Sequence, residues 1–263
     1  MMQLVADPSE LLALAERAAR AAGDLLRARA AVEPTGLAYK SSDTDPVSDA
    51  DRDAEAQILR LLHAERPNDA VLGEEGTSTG GSSGLRWVID PLDGTVNFLY
   101  AQPNFAVSIA CQDSEGTLAG VVHEPLSGET FTAVRGGGAW RDGVALAVNR
   151  PDSLARALVA TGFSYEPARR ALQGEIVARL LPEVRDLRRA GSAALDLAWV
   201  ACGRLDGFYE HGLNEWDLAA GALLVSEAGG VVRRLPATDD LPEALVAGAP
   251  NVVQALVEQL ARA

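Results

Sequence analysis

Two aspartates three residues apart, in Asp90-Pro91-Leu92-Asp93-Gly94-Thr95, carry the strongest chemical signal in this chain. Pro91 cannot continue a central strand, so Asp90 is expected at a strand end and Asp93-Gly94 in a turn. That arrangement brings two carboxylates and the Leu92 carbonyl, all hard oxygen donors, towards one point. Residues 95–100 can wind into a short helix whose first amides, preceded by flexible Gly94, face outwards as an anion site. The segment reads as a metal site beside a phosphate cradle, against the plainer alternative of a polar Asp-Gly turn.

Other acids have a structural and a chemical reading side by side. Glu74 and Glu75 follow a short strand at Ala70-Val71-Leu72, and either can reach a site at the end of a neighbouring strand. Asn214-Glu215-Trp216-Asp217 puts an acid at the third position of a helix, where capping is the default role, and Ser48 with Asp51 makes an ordinary capping box. Rival motifs fail. A calcium loop needs acids at alternate positions before its glycine. The Asp-x-Asp-Gly-Thr of haloacid dehalogenase phosphatases differs by one inserted residue, which moves the second aspartate off the shared side of an extended segment and disfavours a nucleophilic aspartate. His63, His123 and His211 lack paired zinc spacing, and Gly162-Phe163-Ser164-Tyr165-Glu166 lacks the second glycine of a nucleophile elbow. Arg135-Gly136-Gly137-Gly138 has no Lys-Ser/Thr and reads as a turn.

The elements that must position these residues change rhythm halfway. Asp7-Pro8-Ser9-Glu10 starts a helix near residue 8, with Leu11, Leu14, Ala15, Ala18 and Ala22 at helical spacing. A polar loop with Pro34, Gly36 and Lys40 leads to a second helix from Ser48 to near Pro67. Residues 76–84, almost wholly Gly, Ser and Thr, read as a mobile loop. Strands are expected at 87–90, 105–111, 118–123, 130–134 and 139–141, close enough in sequence to form an antiparallel sheet. Beyond residue 150 strands alternate with helices at 168–181, 192–202, 215–228 and 251–262, an α/β pattern. With no solenoid repeat or Pro-rich linker, residues 1–150 and 151–263 are expected to form one compact unit.

Composition sets the outer limits. The 263 residues, 48% hydrophobic, can bury a continuous core. No apolar run reaches the roughly 18 residues of a membrane helix, since charges such as Glu227 interrupt the candidates. No secretory pattern precedes Asp7 and Glu10, and Cys111 and Cys202 sit in apolar surroundings, so a cytoplasmic location with reduced thiols is expected. A net charge of −14 with no basic stripe argues against nucleic acid and leaves room for cations that attract phosphate. Of 23 basic residues one is lysine, Lys40.

Taken together, five segments resemble the inositol monophosphatase family over nearly the whole chain. They are Lys40-Ser41-Ser42 with Asp45 to Asp51, Gly73-Glu74-Glu75, Trp87 to Phe98, Gly191-Ser192-Ala193-Ala194, and Glu215-Trp216-Asp217 through Gly230. The resemblance implies a layered αβαβα sandwich and a homodimer. It implies two or three Mg²⁺ ions held by Glu74, Asp90, Asp93, Asp217 and the Leu92 carbonyl. It further implies that Thr95, paired with Asp51, helps Glu74 to orient and deprotonate a water for in-line attack on phosphorus. The Gly94 and Thr95 amides would hold phosphate oxygens. Glu210, Gly191, Ser192, Ala193, Asp93 and Asp217 would meet the substrate, with Lys40 attracting phosphate or pairing with the acids. Ser48 and Ser192 stand where the family commonly has threonine.

Elementary chemistry agrees with this reading. A phosphate monoester dianion repels a nucleophile, and its hydrolysis needs cations that neutralise its oxygens, acidify water and stabilise the leaving alkoxide. Inositol-1-phosphate is the expected substrate, with Asn97-Phe98 resembling inositol-type members. Histidinol phosphate, fructose bisphosphate and adenosine 3′,5′-bisphosphate are the alternatives. A different class, a partner-binding regulator of the transcription or translation machinery, has Arg188-Arg189 as its support.

Overall fold

A computed structural model of the chain describes residues 7–30, 32, 35–40 and 46–261. Pro34, Ser41, Ser42 and Asp45 of the sequence reading lie outside the described residues. Helix α1 (Pro8–Arg29) starts where Asp7 accepts the Ser9 N–H at 2.9 Å. Strands β1 (Ala38–Tyr39) and β2 (Pro46–Val47) form a small antiparallel pair ahead of α2 (Asp49–Glu65). Then come β3 (Ala70–Gly73), β4 (Ser78–Thr79), β5 (Arg86–Asp93), the short α3 (Thr95–Leu99), β6 (Ala106–Asp113), β7 (Gly116–His123), β8 (Thr130–Val134), β9 (Gly138–Arg141) and β10 (Val144–Ala145). The remainder is β11 (Leu158–Thr161), α4 (Pro167–Leu180), β12 (Asp186–Arg188), α5 (Ala193–Ala201), β13 (Gly207–His211), α6 (Glu215–Glu227), β14 (Val231–Leu235), β15 (Ala244–Gly248) and α7 (Pro250–Leu260).

Two sheets and three helical layers stack as αβαβα. The eight-stranded sheet runs β10-β9-β8-β7-β6-β5-β3-β4, and the five-stranded sheet β12-β11-β13-β15-β14. Alternation along the strands decides which layer each side chain serves. In β5, Trp87 and Ile89 pack with α1 and α2, whereas Val88 faces α5 and α6. In β13, Phe208 joins the α5/α6 layer and Tyr209 turns to α4 and α7. Helix α5 is buried on nearly every side, as a helix between two sheets must be.

Three details depart from the sequence reading. The first sheet is antiparallel from β5 onward, but β3 joins β5 in parallel. Residues 76–84 are not wholly loop: Ser78 and Thr79 pair with Leu72 and Val71, and Gly81 lies so close to the Ala70 backbone that a Cβ would fall 2.3 Å from its nitrogen. Nor does β5 stop at Asp90. Asp90 pairs opposite Ser108 and Asp93 opposite Ala106, so three steps along β5 match two along β6. This bulge absorbs Pro91 and returns Asp93 to the side that Asp90 faces, which simple alternation at a spacing of three forbids.

Candidate active site

The bulge opens on a cleft of about 670 Å³ between the two sheets. Lys40, Glu74, Asp90, Leu92, Asp93, Gly94, Thr95, Gly191, Ser192, Ala193, Glu210 and Asp217, twelve of the residues expected at the site, line it. Asp51 does not line it. It sits buried beneath, where its two oxygens divide the roles that the sequence left open: Oδ2 accepts from the Ser48 amide and hydroxyl at 2.8 and 2.7 Å, and Oδ1 accepts the Thr95 hydroxyl at 3.0 Å. Burial raises the Asp51 pKa, and the Ser48 and Thr95 hydrogen bonds oppose that rise.

Asp93 is fixed across the sheets by α5. Its Oδ2 accepts the Ser192 hydroxyl and the Ala194 N–H, both at 2.6 Å, an acid placed at a helix N-terminus. Burial pushes its pKa up to about 6 against those two hydrogen bonds. Gly94 has φ +99°, and a Cβ there would meet the Asn104 carbonyl at 2.8 Å, so glycine is required for the approach. Asp217 accepts the Asn214 N–H at 2.6 Å, the cap expected, yet faces the same cleft. Burial, then Asp93 and Glu74, raise its pKa well above the ordinary value. Asp90 is raised likewise by burial and then by Glu74, Asp93 and Asp217, and it shares a hydrogen bond with Glu74.

Glu74 and Glu75 separate in role. The Lys40 ammonium donates to both, at 2.8 and 2.7 Å, which answers why one lysine stands near the acids. Burial works against the charge of Lys40, but Glu74 and Glu75 outweigh it and lift its pKa above the lysine range. Glu75, pushed up to about 7 chiefly by burial, is not on the cleft wall. The turn that carries both is held by Glu55, which sequence reasoning missed. Its carboxylate accepts the Glu75 N–H at 3.0 Å and the Thr77 hydroxyl at 2.5 Å, and a Cβ on Gly73 would strike it. The available signal was its place one helical turn after Asp51 on α2, hence on the same face.

At the far end of the cleft the acids have no hydrogen-bond partner among the described residues. Burial raises the Glu210 pKa to about 8, with Arg189 opposing and Asp93 adding to the rise. Asp196, one turn into α5 and also missed, keeps a buried oxygen without a partner.

Four carboxylates and a peptide carbonyl are hard oxygen donors, and among the described residues Lys40 is the sole cation bonded to any of them. Four acids on one wall with a single paired cation carry excess negative charge, and hard oxygen donors of this type suit Mg²⁺. Among the described residues, no three His, Cys, Asp or Glu side chains close on one point; they line a shared wall.

The layered fold is that of solved inositol monophosphatases. The model of the Inositol monophosphatase family matches residues 7–263, and the chain belongs to that family of phosphoric monoester hydrolases. It is 42% identical to an inositol-1-monophosphatase of Mycobacterium leprae, covering 97% of this chain and 95% of the relative. It is equally 42% identical to the Nus factor SuhB of Escherichia coli, covering 95% of each. The solved extragenic suppressor protein suhB from Bartonella henselae superposes with a TM-score of 0.89 at 37% identity, over 95% of this chain and 98% of that one. No helix among the described residues is long and apolar enough to cross a membrane.

Proposed function

We propose that this enzyme hydrolyses inositol-1-phosphate to inositol and phosphate by direct attack of water, with two or three Mg²⁺ ions held by Glu74, Asp90, Asp93, Asp217 and the Leu92 carbonyl. Bound there, Mg²⁺ supplies charge neutralisation at phosphorus and acidifies water. The observation that carries the reading is the hydrogen bond from Thr95 to buried Asp51 directly beside those acids. A threonine hydroxyl that donates to Asp51 turns its lone pairs to the cleft and can accept a hydrogen bond from the attacking water, orienting it while Glu74 takes the water's proton as base. The Gly94 and Thr95 amides, at the start of α3, receive the phosphate oxygens.

The leaving group meets Glu210, Asp196 and Arg189. With its pKa near 8, Glu210 carries its proton at neutral pH and can donate to a polyol hydroxyl. A mixed set of acids and one arginine suits uncharged hydroxyls better than the second phosphate of fructose bisphosphate or adenosine 3′,5′-bisphosphate. Residues 1–150 and 151–263 work as one unit because Asp93 is fastened to α5. Free thiols at Cys111 and Cys202 favour the cytoplasm, and the homodimer rests on the family alone.

Phosphate release from inositol-1-phosphate, histidinol phosphate, fructose bisphosphate and adenosine 3′,5′-bisphosphate, with and without Mg²⁺, tests the reading. The expected result is the highest kcat/KM on inositol-1-phosphate and none in chelator. No release from any sugar or polyol phosphate would overturn it. A second reading, a regulator that works by binding a partner, is favoured by the name of the Escherichia coli relative and by Arg188 on the edge strand β12. Partner capture that survives Asp93→Asn while hydrolysis is lost would support it.

A further inference from the structure

Helix α6 carries Asp217, whereas β5 carries Asp90, Leu92 and Asp93, so the relative placement of these two elements sets the acid constellation. The body of α6 is seated by close packing. At Gly120 on β7 a Cβ would lie 3.0 Å from the Ala220 Cα, a contact that leaves the helix little room to slide. Its first turn lies beyond that contact, and there the acids work against each other. Asp217 is part-buried on the cleft wall with Asp93 and Glu74 near it, and like charges in such surroundings repel. Rotation about the Ala220 contact would carry Asp217 away from β5.

Two polar links oppose that rotation. The Ser108 hydroxyl on β6 donates to the Trp216 carbonyl at 3.3 Å, a long bond. Arg86, at the start of β5, donates to Glu215 at 2.5 Å, and its guanidinium is held in place by Gln112 on β6 at 2.7 and 3.2 Å. Arg86 lies four residues before Asp90, on the same face of the strand, and Glu215 lies two before Asp217. The ion pair therefore ties the start of the strand that bears three of the five donors to the first turn of the helix that bears Asp217.

We infer that Arg86 and Glu215 form a tether that presets Asp217 against β5, so that Mg²⁺ meets an assembled set of donors. Both are positioning residues; neither lines the cleft. The inference rests on the metal-centre reading above. Because the pair is part-exposed, with side-chain accessibilities of 43% and 33%, its effect is modest. Pre-organisation of this sort changes metal affinity and leaves the chemistry of the filled site alone.

The test uses Arg86→Gln, Glu215→Gln and the exchanged pair Arg86→Glu/Glu215→Arg. Mg²⁺ binding to chelator-treated protein is measured by calorimetry, together with melting temperature in chelator and the Mg²⁺ dependence of phosphate release. Each single variant is expected to weaken Mg²⁺ binding about threefold and raise the half-saturating Mg²⁺ to match. The kcat at saturating Mg²⁺ should stay within twofold of the wild type, and the exchanged pair should recover most of the affinity. Unchanged Mg²⁺ affinity in both single variants overturns the tether while the metal centre stands. So does an exchanged pair as weak as the singles with an unaltered melting temperature. Absence of Mg²⁺ binding by the wild type overturns the metal centre and the tether with it.

Discussion

The two ends of the cleft are built differently. At the end proposed to hold Mg²⁺ the acids have one side fastened, Asp93 to Ser192 and Ala194, Asp217 to Asn214 and Glu74 to Lys40, and beside them Thr95 is fastened to Asp51. At the opposite end Glu210 and Asp196 have no side-chain hydrogen-bond partner among the described residues. Fastened groups keep a reaction geometry at little reorganisation cost, as catalysis requires. Loose groups wait for hydroxyls from outside. On the proposed function, substrate choice would be set at the loose end while the fastened end stayed constant.

The sharpest way to break this comparison is at Thr95. Thr95→Val keeps the size of the side chain and removes the hydroxyl that faces Asp51. We expect kcat to fall on the order of 10²- to 10³-fold, the scale of a lost proton relay, with Mg²⁺ binding by calorimetry unchanged. A loss confined to KM would show that the fastened end does not carry the chemistry. At the loose end, Glu210→Gln should raise KM for inositol-1-phosphate about 10-fold, roughly 1.4 kcal/mol, with kcat preserved. Turnover of p-nitrophenyl phosphate, which has no polyol hydroxyls, should hardly change; an equal loss on both substrates contradicts the division.

A smaller effect links pH to metal. Asp93 has a folded pKa of about 6, and Asp90 and Asp217 are also raised, all above an unfolded value of about 3.9. Groups raised in this direction stay protonated in the folded protein, so the stability they contribute is full below the unfolded pKa. It is lost as pH climbs through the folded values. Mg²⁺ binds the ionised form, and its stabilisation therefore grows over the same interval. The melting temperature gained from Mg²⁺ should be about 5 °C larger at pH 8 than at pH 5, given excess metal. An equal gain at both values would mean that these carboxylates are not the ligands.

What the sequence made legible was local. Helix starts at Asp7-Pro8 and Ser48 to Asp51 are written in adjacent residues, and the structure has those caps. That the chain departs from alternation at Pro91 was legible in the proline; that it does so as a bulge within a strand continuing to Asp93 was not, because the bulge arises from pairing with β6. The same holds for Ser78-Thr79, whose composition is that of a loop until β3 offers an edge to pair with. Glu55 was missed because its partners lie 20 and 22 residues away and one of them is a backbone N–H. Glu74, Asp90, Asp93 and Asp217 were legible through the pattern of the whole chain, since each alone has an ordinary capping or turn role, whereas Asp196 was not. Arg86 and Glu215 look like surface charges until the fold brings them together across 129 residues.

The most direct test of the central claim is a calorimetric Mg²⁺ titration of chelator-treated protein, run beside phosphate release from inositol-1-phosphate at each metal concentration. The account predicts two or three bound ions, with release absent in chelator and rising as the sites fill. Full release in chelator, with no Mg²⁺ bound, would contradict it.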